Sequence, residues 1–318
     1  MDALSDVLRA AHLSGGVFLH AEFTVPWCIA TQVTPQLCAP FLKPDARLIP
    51  YHYVVEGEFD VALDGGAPQR LRTGEVILFP QNDGHRMGSD LNLKPVFGRE
   101  LIKPAERGGL YSIRHGGGGA RTRMVCGYLG CEASKGNPVL ATLPPTMKLK
   151  VEDAGPAEWI RSTFHFAADE VASGRPGSET VLAKLSELLF VEAVRRYVED
   201  LPPDQTGWLA GLRDPVVARV LALVHGDIAR PWSVEELGRQ AGTSRSALAE
   251  RFTRVIGMAP MHYLAHWRMQ VAAQKLKGSN ASLGQIADSI GYESEAAFSR
   301  AFKKSFGTAP ATWRREQS

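Results

Sequence analysis

The sequence has no apolar run long enough to cross a membrane, although 44% of its 318 residues are hydrophobic. A transmembrane helix needs about 20 consecutive apolar residues. The first 16 residues include Asp2 and Asp6, and they have neither the basic start nor the apolar centre of an export signal. We therefore expect a cytoplasmic protein without a membrane partner. The chain is long enough for two domains with separate cores.

Cysteine is also scarce. The four cysteines are Cys28, Cys38, Cys126 and Cys131, and their C-x9-C and C-x4-C spacings match no standard zinc-binding pattern. In a reducing cytoplasm such cysteines are normally thiols. The sequence thus predicts neither a disulfide framework nor a structural zinc site, and it implies no cofactor.

A strong excess of one charge is absent from the chain as a whole, since 36 Lys and Arg face 34 Asp and Glu. The distribution is nevertheless uneven. From Asp214 onward there are 14 basic and 9 acidic residues, whereas the first 213 residues hold 22 basic and 25 acidic ones. Because nucleic-acid binding releases counterions from phosphates, a basic C-terminal part favours a DNA partner.

Two copies of one pattern occupy the C-terminal third of the chain. The segment Ser282–Arg314 repeats Ser233–Tyr263 at an offset of 49 residues, which becomes 50 after one insertion. Each copy begins with an S-x-x-E or S-x-x-Q capping box, turns at Gly242 or Gly291, and continues as an amphipathic helix. Residues 260–277 are predicted to form one connecting helix. A short helix, a glycine turn and a second helix with a polar, largely basic face is typical of a helix-turn-helix unit that enters the DNA major groove.

The motifs R-x-x-L-x-x-x-F-x-x-x-x-G-x-x-P-x-x-Y at Arg245–Tyr263 and A-D-S-I-G-Y-x-x-x-x-x-F-S-R-A-F-K-K-x-F-G-x-x-P at Ala287–Pro310 resemble the AraC/XylS family of transcriptional regulators. This resemblance implies double-stranded DNA as a partner, and RNA polymerase as another if the protein is an activator. Arg300 matches a position that contacts DNA in the family, whereas Glu250 stands where a base-reading Arg is frequent. The expected DNA contacts lie on the polar faces of the two second helices: Arg245, Ser246, Ala249, Glu250, Arg254, Glu295, Ala296, Ser299, Arg300, Lys303 and Lys304.

Residues 17–150 are dominated by short β-type runs separated by Gly, Pro and Asp, a pattern typical of a small barrel or sandwich. His52 followed by Glu56-Gly57, and the later pair Gly84-His85, resemble in part the two cupin motifs. Metal-dependent cupins use two histidines in the first motif, but tyrosines flank His52 here. His52 and His85 are therefore weak metal candidates and sensor candidates, and a metal-dependent cupin enzyme fused to a DNA-binding domain is the alternative function.

The predicted fold class is α+β with two domains. Residues 1–200 are expected to form a cupin-like β-barrel with flanking helices at its C-terminal side, residues 201–213 a linker, and residues 214–318 an all-α domain of two helix-turn-helix units joined by a linker helix. The predicted helix Ser178–Val198 has a wide apolar surface that includes Leu182, Leu185 and Leu189. In AraC-like regulators the corresponding helix commonly forms a dimer, which implies a homodimer. Packing within one chain is the alternative.

The start MDAL, the stretch PQN-x-x-H and the VCG strand resemble AraC-type regulators with a cupin-like sensor domain, some of which respond to oxidants. This resemblance makes Cys126 a sensor candidate. Arg121 and Arg123 are expected to favour its thiolate, the reactive species. Cys28 and Cys131 are candidate resolving cysteines, while a buried structural role for Cys126 is the competing interpretation. We therefore predict a non-enzymatic DNA-binding regulator that responds to a small molecule or an oxidant, with an unresponsive architectural DNA binder as a third alternative.

Overall fold

The computed structural model of the protein describes residues 2–11, 13–34, 47–103, 111–131, 137–150 and 177–317. The chain divides into two units. A β-rich unit comprises His12–Ala133 and Leu143–Tyr197, and a helical unit comprises Met1–Ala11, Ser134–Thr142 and Val198–Ser318. The predicted α+β fold class is confirmed. In the described part of the chain, no helix is both long and apolar enough to cross a bilayer.

Most strands lie in the first 150 residues of the chain, and most helices follow residue 177. The strands are β1 Leu13–Thr24, β2 Cys28–Thr31, β3 Arg47–Glu56, β4 Glu58–Leu63, β5 Gln69–Arg72, β6 Glu75–Leu78, β7 His85–Gly88, β8 Val96–Phe97, β9 Tyr111–Gly116, β10 Arg121–Cys131 and β11 Met147–Lys150. The helices are α1 Ala3–Ala10, α2 Gly98–Leu101, α3 Pro138–Thr142, α4 Ser178–Asp200, α5 Trp208–Gly211, α6 Pro215–Gly226, α7 Val234–Gln240, α8 Arg245–Ile256, α9 Pro260–Gly278, α10 Leu283–Ser289, α11 Glu295–Phe306 and α12 Pro310–Gln317.

The β-rich unit consists of two sheets that share one core. The six-stranded sheet has the order β11-β6-β3-β10-β1-β9, and the five-stranded sheet has the order β5-β4-β7-β2-β8. Large apolar side chains from both sheets meet between them, including Phe23 and Met124 from the first sheet and Phe59 and Met87 from the second. This arrangement agrees with the expected cupin-like barrel.

Strand register places the polar residues of this core. β3 and β10 are antiparallel, and Cys126 lies directly opposite His52. Opposite residues on paired strands project to the same face of a sheet. In the other sheet, His85 begins β7 and lies opposite Thr31 of β2. The register therefore directs Cys126 and His52 from one sheet, and His85 from the other, into the same interior.

The long helix α4 is attached to the six-stranded sheet. The Tyr51 hydroxyl lies 2.8 Å from Ser186 Oγ, and Arg196 donates a hydrogen bond to the carbonyl oxygen of Lys150. A Cβ atom at Gly127 would lie 2.6 Å from the Tyr51 hydroxyl oxygen. The glycine of the VCG strand thus leaves room for the tyrosine that holds this helix.

The leucines expected at a dimer interface on α4 do not form an exposed stripe. Leu189 is 2% exposed within the protomer and Leu185 is half-buried, while the side chain of Leu182 lies outside the described residues. Because Leu189 packs inside its own protomer, it is not available to a partner, which corrects the expectation for this residue. The large exposed apolar side chains described on α4 are Val181 and Leu188, the latter 46% exposed.

The helical unit contains both predicted helix-turn-helix units. α7 and α8 form the first, α10 and α11 form the second, and α9 connects them as expected. Ser282 and Gln285 form a complete capping box at the start of α10. Ser233 caps α7 through the Glu236 amide, but the Glu236 carboxylate binds Arg230, so the first box is only half formed.

Arg268 on the connecting helix links the two helix-turn-helix units through backbone groups. Its guanidinium donates to the carbonyl oxygens of Ile228 at 2.9 Å, Arg230 at 2.9 Å and Ala229 at 3.3 Å, all of which precede α7. It also donates to the carbonyl oxygen of Gly291 at 3.2 Å, in the turn of the second unit. A Cβ atom at Gly291 would lie 2.2 Å from the Ala229 carbonyl oxygen, and φ is +76° there, so the close approach requires glycine.

The N-terminal helix α1 belongs to the helical unit, although we expected residues 1–200 to form one domain. Asp6 Oδ2 accepts a 2.7 Å hydrogen bond from Nδ1 of the buried His225 in α6. His225 Nε2 lies 2.7 Å from the Tyr263 hydroxyl, which also accepts from Trp208. Residues 201–213, expected as a linker, include the buried helix α5.

Candidate DNA-binding surface and barrel cavity

The second helix of each helix-turn-helix unit is amphipathic and capped at both ends. α8 buries Leu248 and Phe252, and α11 buries Phe298 and Phe302. Serine hydroxyls accept amide hydrogen bonds at both N-termini, and glycines with positive φ end both helices. All eleven residues expected to contact DNA are exposed or half-exposed on these helices. The fold thus leaves both polar faces open.

The basic residues on these two faces differ in their contacts. Arg245 at the start of α8 forms a 2.8 Å ion pair with Glu235 of α7, in which both side chains are largely exposed. Arg251, whose side chain is 41% exposed, forms a 2.7 Å ion pair with Asp214, the N-cap of α6. Among the described residues, three basic side chains of α11 have no acidic partner, namely Arg300, Lys303 and Lys304, whereas on α8 this is true of Arg254. The second unit therefore presents the less neutralised basic surface.

A cavity of about 510 Å³ opens inside the β-rich unit. Apolar side chains such as Leu19, Phe23, Ile29 and Met87 dominate its lining. Its polar groups include His52, His85 and Cys126, which were the separate sensor candidates of the sequence. Organic-ligand pockets in proteins have volumes of about 300–1,000 Å³ and a mainly apolar lining with a few polar groups. The cavity has the size and chemistry of such a pocket.

The three polar groups form one hydrogen-bonded chain. His52 Nδ1 lies 2.9 Å from Cys126 Sγ, and His52 Nε2 lies 3.0 Å from His85 Nε2. His85 Nδ1 lies 3.0 Å from the Asp83 carbonyl oxygen, which can only accept, so this nitrogen carries a proton. Burial lowers the pKa of His85 to about 4, and burial together with His85 lowers the pKa of His52 well below its usual value. Both rings are therefore neutral at pH 7.

Because both imidazole rings are neutral, the position of each proton in this hydrogen-bonded chain is determined. With Nδ1 protonated, His85 Nε2 is an acceptor, so His52 Nε2–H donates to it. His52 Nδ1 is then an acceptor for the Cys126 thiol. The direction of donation is thus Cys126 to His52, His52 to His85, and His85 to the Asp83 carbonyl oxygen.

The three groups do not form a cupin metal centre. His52 lies between the other two, with Cys126 on one ring nitrogen and His85 on the other, so the three donors do not point to a common centre. Over the ranges that the structure describes, no three His, Cys, Asp or Glu side chains are placed to hold a metal ion. The residues present therefore do not fit the metal site that some cupins contain.

Comparison with known proteins agrees with both the barrel and the helix-turn-helix units. A cupin family model matches residues 2–199, and a helix-turn-helix domain model matches residues 237–316. A putative AraC-like transcription regulator of Streptomyces lividans is 33% identical, covering 99% of this chain and 98% of that protein. The chain belongs to the AraC-type family of DNA-binding transcriptional regulators. Its N-terminal part, over residues 2–199, is a cupin domain.

Two further relatives of this AraC-type regulator match over nearly their full lengths. The HTH-type transcriptional regulator AlkR of Acinetobacter baylyi is 29% identical, covering 99% of this chain and 100% of that protein. The RCS-specific HTH-type transcriptional activator RclR of Escherichia coli is 26% identical, covering 99% of this chain and 97% of that protein. The resemblance to AraC-type regulators that include oxidant-responsive members is therefore confirmed.

The surroundings of Cys126 in this AraC-type regulator differ from the expectation of a thiolate. Arg121 pairs with Glu56 near the strand start, and Arg123 also lies close to that carboxylate. Cys126 is 6% exposed, and burial raises the pKa of its thiol. The two arginines therefore do not favour a resting thiolate. A neutral thiol that donates to His52 replaces that expectation.

The candidate resolving cysteines lie away from the cavity chain. Cys131 is five residues from Cys126 on the same strand, which separates their Cα atoms by about 16 Å and directs their side chains to opposite faces. A disulfide requires Cα atoms about 4.4–6.8 Å apart, so this pair cannot form within β10. Cys28 precedes the inward-facing Ile29 and so faces away from the core. Cys38 lies outside the described residues.

Proposed function

We propose that this protein is a sequence-specific transcriptional regulator whose DNA binding is controlled by a small molecule or an oxidant that enters the barrel cavity. The observation that carries the DNA-binding part is the presence of two open recognition faces, on α8 and α11, joined through one helix. α9 is about 28 Å long at 1.5 Å per residue. Successive major grooves on one face of DNA lie about 34 Å apart, and a single connecting helix of this length supports binding of the two faces in adjacent grooves.

A footprint tests this arrangement. DNA selected in vitro by the wild-type protein should show two protected patches about one helical turn apart on one face after hydroxyl-radical cleavage. Arg300→Ala should weaken binding to that DNA by ~1–3 kcal/mol if the guanidinium reads a guanine. If it contacts a phosphate instead, binding to all sequences should weaken evenly and the salt slope should fall by about one.

Arg219→Ala is the matched control, because Arg219 is an exposed arginine of α6 outside both recognition helices. Protection over a single groove, or on opposite faces of the duplex, would contradict the two-groove arrangement. Binding by Arg300→Ala that equals the control, in both affinity and salt slope, would remove Arg300 from the interface.

The connection between the cavity and the helical unit is covalent. β1 and β10 both line the cavity, and their ends are paired, with Leu13 opposite Cys131. α1 directly precedes β1 and packs on α6 within the helical unit. Asn137, just before α3, donates to the Val7 carbonyl oxygen of α1. A ligand that displaces β1 or β10 therefore acts on two chain segments that are anchored in the DNA-binding unit.

A regulator is favoured over a metal-dependent cupin enzyme by the arrangement of His52 between Cys126 and His85. An enzyme of that class requires a stoichiometric metal, so metal analysis of the purified protein separates the two functions. A homodimer through the exposed side of α4 is part of the proposal, and an activator would also contact RNA polymerase.

A further inference from the structure

We propose that Cys126 is a covalent modification site for an apolar organic electrophile of the α,β-unsaturated carbonyl class, with His52 and His85 as the acceptors of the thiol proton. Only the regulatory consequence rests on the proposed function above. The chemistry at the thiol stands on the cavity and on the hydrogen-bonded chain within it.

The hydrogen-bonded chain of Cys126, His52 and His85 gives the buried thiol a route for its proton. The Cys126 thiol donates to His52 Nδ1 over 2.9 Å, and the proton on His52 Nε2 points at His85 Nε2 over 3.0 Å. If both protons move one step, sulfur becomes a thiolate, His52 stays neutral, and the positive charge appears on His85. Burial disfavours the charged form of that ring and lowers its pKa to about 4, whereas the Asp83 carbonyl oxygen and the carboxylates of Asp64 and Asp83 offset part of this effect. The charged ring is therefore a transient species of the addition step. The charge thus develops away from the sulfur, beside groups of opposite polarity.

The addition step balances without a further reagent. The sulfur electron pair forms an S–C bond to the β-carbon of the unsaturated carbonyl compound, and the C=C electron pair moves toward the carbonyl group as an enolate. The proton taken up by the relay returns through His52 to the α-carbon. The product is a thioether, and nothing is oxidised or reduced. His52 therefore acts as a general base and then as a general acid.

The cavity favours an organic electrophile over a small inorganic oxidant. Its volume of about 510 Å³ is many times the ~30 Å³ that one water molecule occupies, and its lining is mainly apolar. Oxidation of a thiol to a sulfenic acid is normally completed by a second thiol. Of the cysteines that the structure describes, neither Cys28 nor Cys131 faces the hydrogen-bonded chain of the cavity, whereas a thioether needs no second cysteine. Both observations favour an adduct.

The experiment exposes the full-length protein to 2-nonenal and follows the modification by intact mass and peptide mapping. The expected product is one aldehyde on Cys126, with Cys28→Ser as a control that reacts equally. The wild-type rate should change less than about threefold between about pH 6 and pH 8, because the proton is accepted inside the cavity. The remaining titratable groups that line the cavity are Asp64, Arg99, Tyr111 and Tyr128.

His52→Gln should slow the reaction by about a hundredfold and make its rate rise about tenfold per pH unit, because only the free thiolate then reacts. His85→Gln keeps an acceptor for His52 but cannot take up a proton, so it should give an intermediate rate. The wild-type pH profile tests the relay even if a variant fails to fold.

Several outcomes would overturn the proposal. One is a wild-type rate that rises tenfold per pH unit. Another is a Cys126 that gains oxygen from hydrogen peroxide but does not react with 2-nonenal. An adduct that forms as expected but leaves binding to the selected DNA unchanged would support the chemistry and refute its regulatory role. Failure of the site and failure of the proposed function are therefore distinguishable.

Discussion

Replacement of Arg268 by Met should loosen the connection between the two recognition helices without removing any residue from the DNA surface. Met keeps much of the apolar stem but loses all the donors. The side chain makes four hydrogen bonds to backbone carbonyl oxygens, three of them before α7 and one at Gly291. The substitution thus acts on the geometry that sets the spacing of α8 and α11.

The size of the effect follows from those contacts. A hydrogen bond to a charged group contributes about 1.5–3 kcal/mol when its partner would otherwise be unsatisfied. Arg268 is half-buried, so water can replace part of the loss, and we count only the two 2.9 Å bonds at the low end of that range. The helical unit should lose about 3 kcal/mol of unfolding free energy, which a domain with ~5–15 kcal/mol tolerates.

The assay compares two DNA duplexes. Loss of a fixed spacing should weaken binding to the two-groove site at least about tenfold, which corresponds to ~1.4 kcal/mol, while binding to a single half-site stays nearly unchanged. Hydrogen exchange should increase at residues 228–230 and 291. Arg219→Met is the control, since it removes an exposed arginine from the same unit. Full-site affinity equal to that of the control, despite lost exchange protection, would refute the role of Arg268 in spacing.

The remaining predictions concern assembly, acid stability and the N-terminal helix. Val181→Glu combined with Leu188→Glu should give a folded monomer in sedimentation; a persistent dimer would place the interface elsewhere. Burial lowers the folded-state pKa of His85 from 6.5 to about 4. Its stabilising contribution, present above pH 6.5, should therefore be lost as pH falls through 4, by up to roughly 3 kcal/mol of unfolding free energy. Acid unfolding of the barrel that is unchanged in His85→Gln would contradict this. Asp6→Ala should leave Nδ1 of buried His225 unpaired, costing about 2 kcal/mol and speeding exchange in α1; Asp6→Asn, which keeps an acceptor, is the control, and equal exchange in both variants would exclude this contact.

The helical unit was largely predictable because its signals are local. Caps, turn glycines and apolar spacing all fall within one segment, and each repeat supports the interpretation of the other. Ser282 and Gln285 behave as the pattern predicts. The first capping box fails in part because a competing partner, Arg230, lies close to Glu236 in the fold. A sequence motif identifies the residues that are able to bond, but tertiary neighbours decide which bonds form.

The barrel site was predictable only as separate residues. His52, His85 and Cys126 were each candidates, but their connection depends on strand register, and on a second sheet that brings His85 to the first. The expectation of a thiolate was wrong because it assumed that arginines close to Cys126 in sequence would also act on its thiol in the fold. Along a strand, Arg121 and Arg123 are bound to Glu56, while burial controls the thiol.

The packing of α1 in the helical unit could not be predicted from sequence. Asp6 and His225 are 219 residues apart, and neither has a local signal that predicts the other. The Asp6 carboxylate stabilises the fold because the His225 imidazole is fully buried and needs a hydrogen-bond partner. Tyr263 and Trp208 lie around that imidazole. Along the chain α1 directly precedes the β-rich unit, whereas its hydrogen bond to His225 attaches it to the helical unit. A truncated chain that begins at the first barrel strand would therefore lack a structural element of the DNA-binding unit.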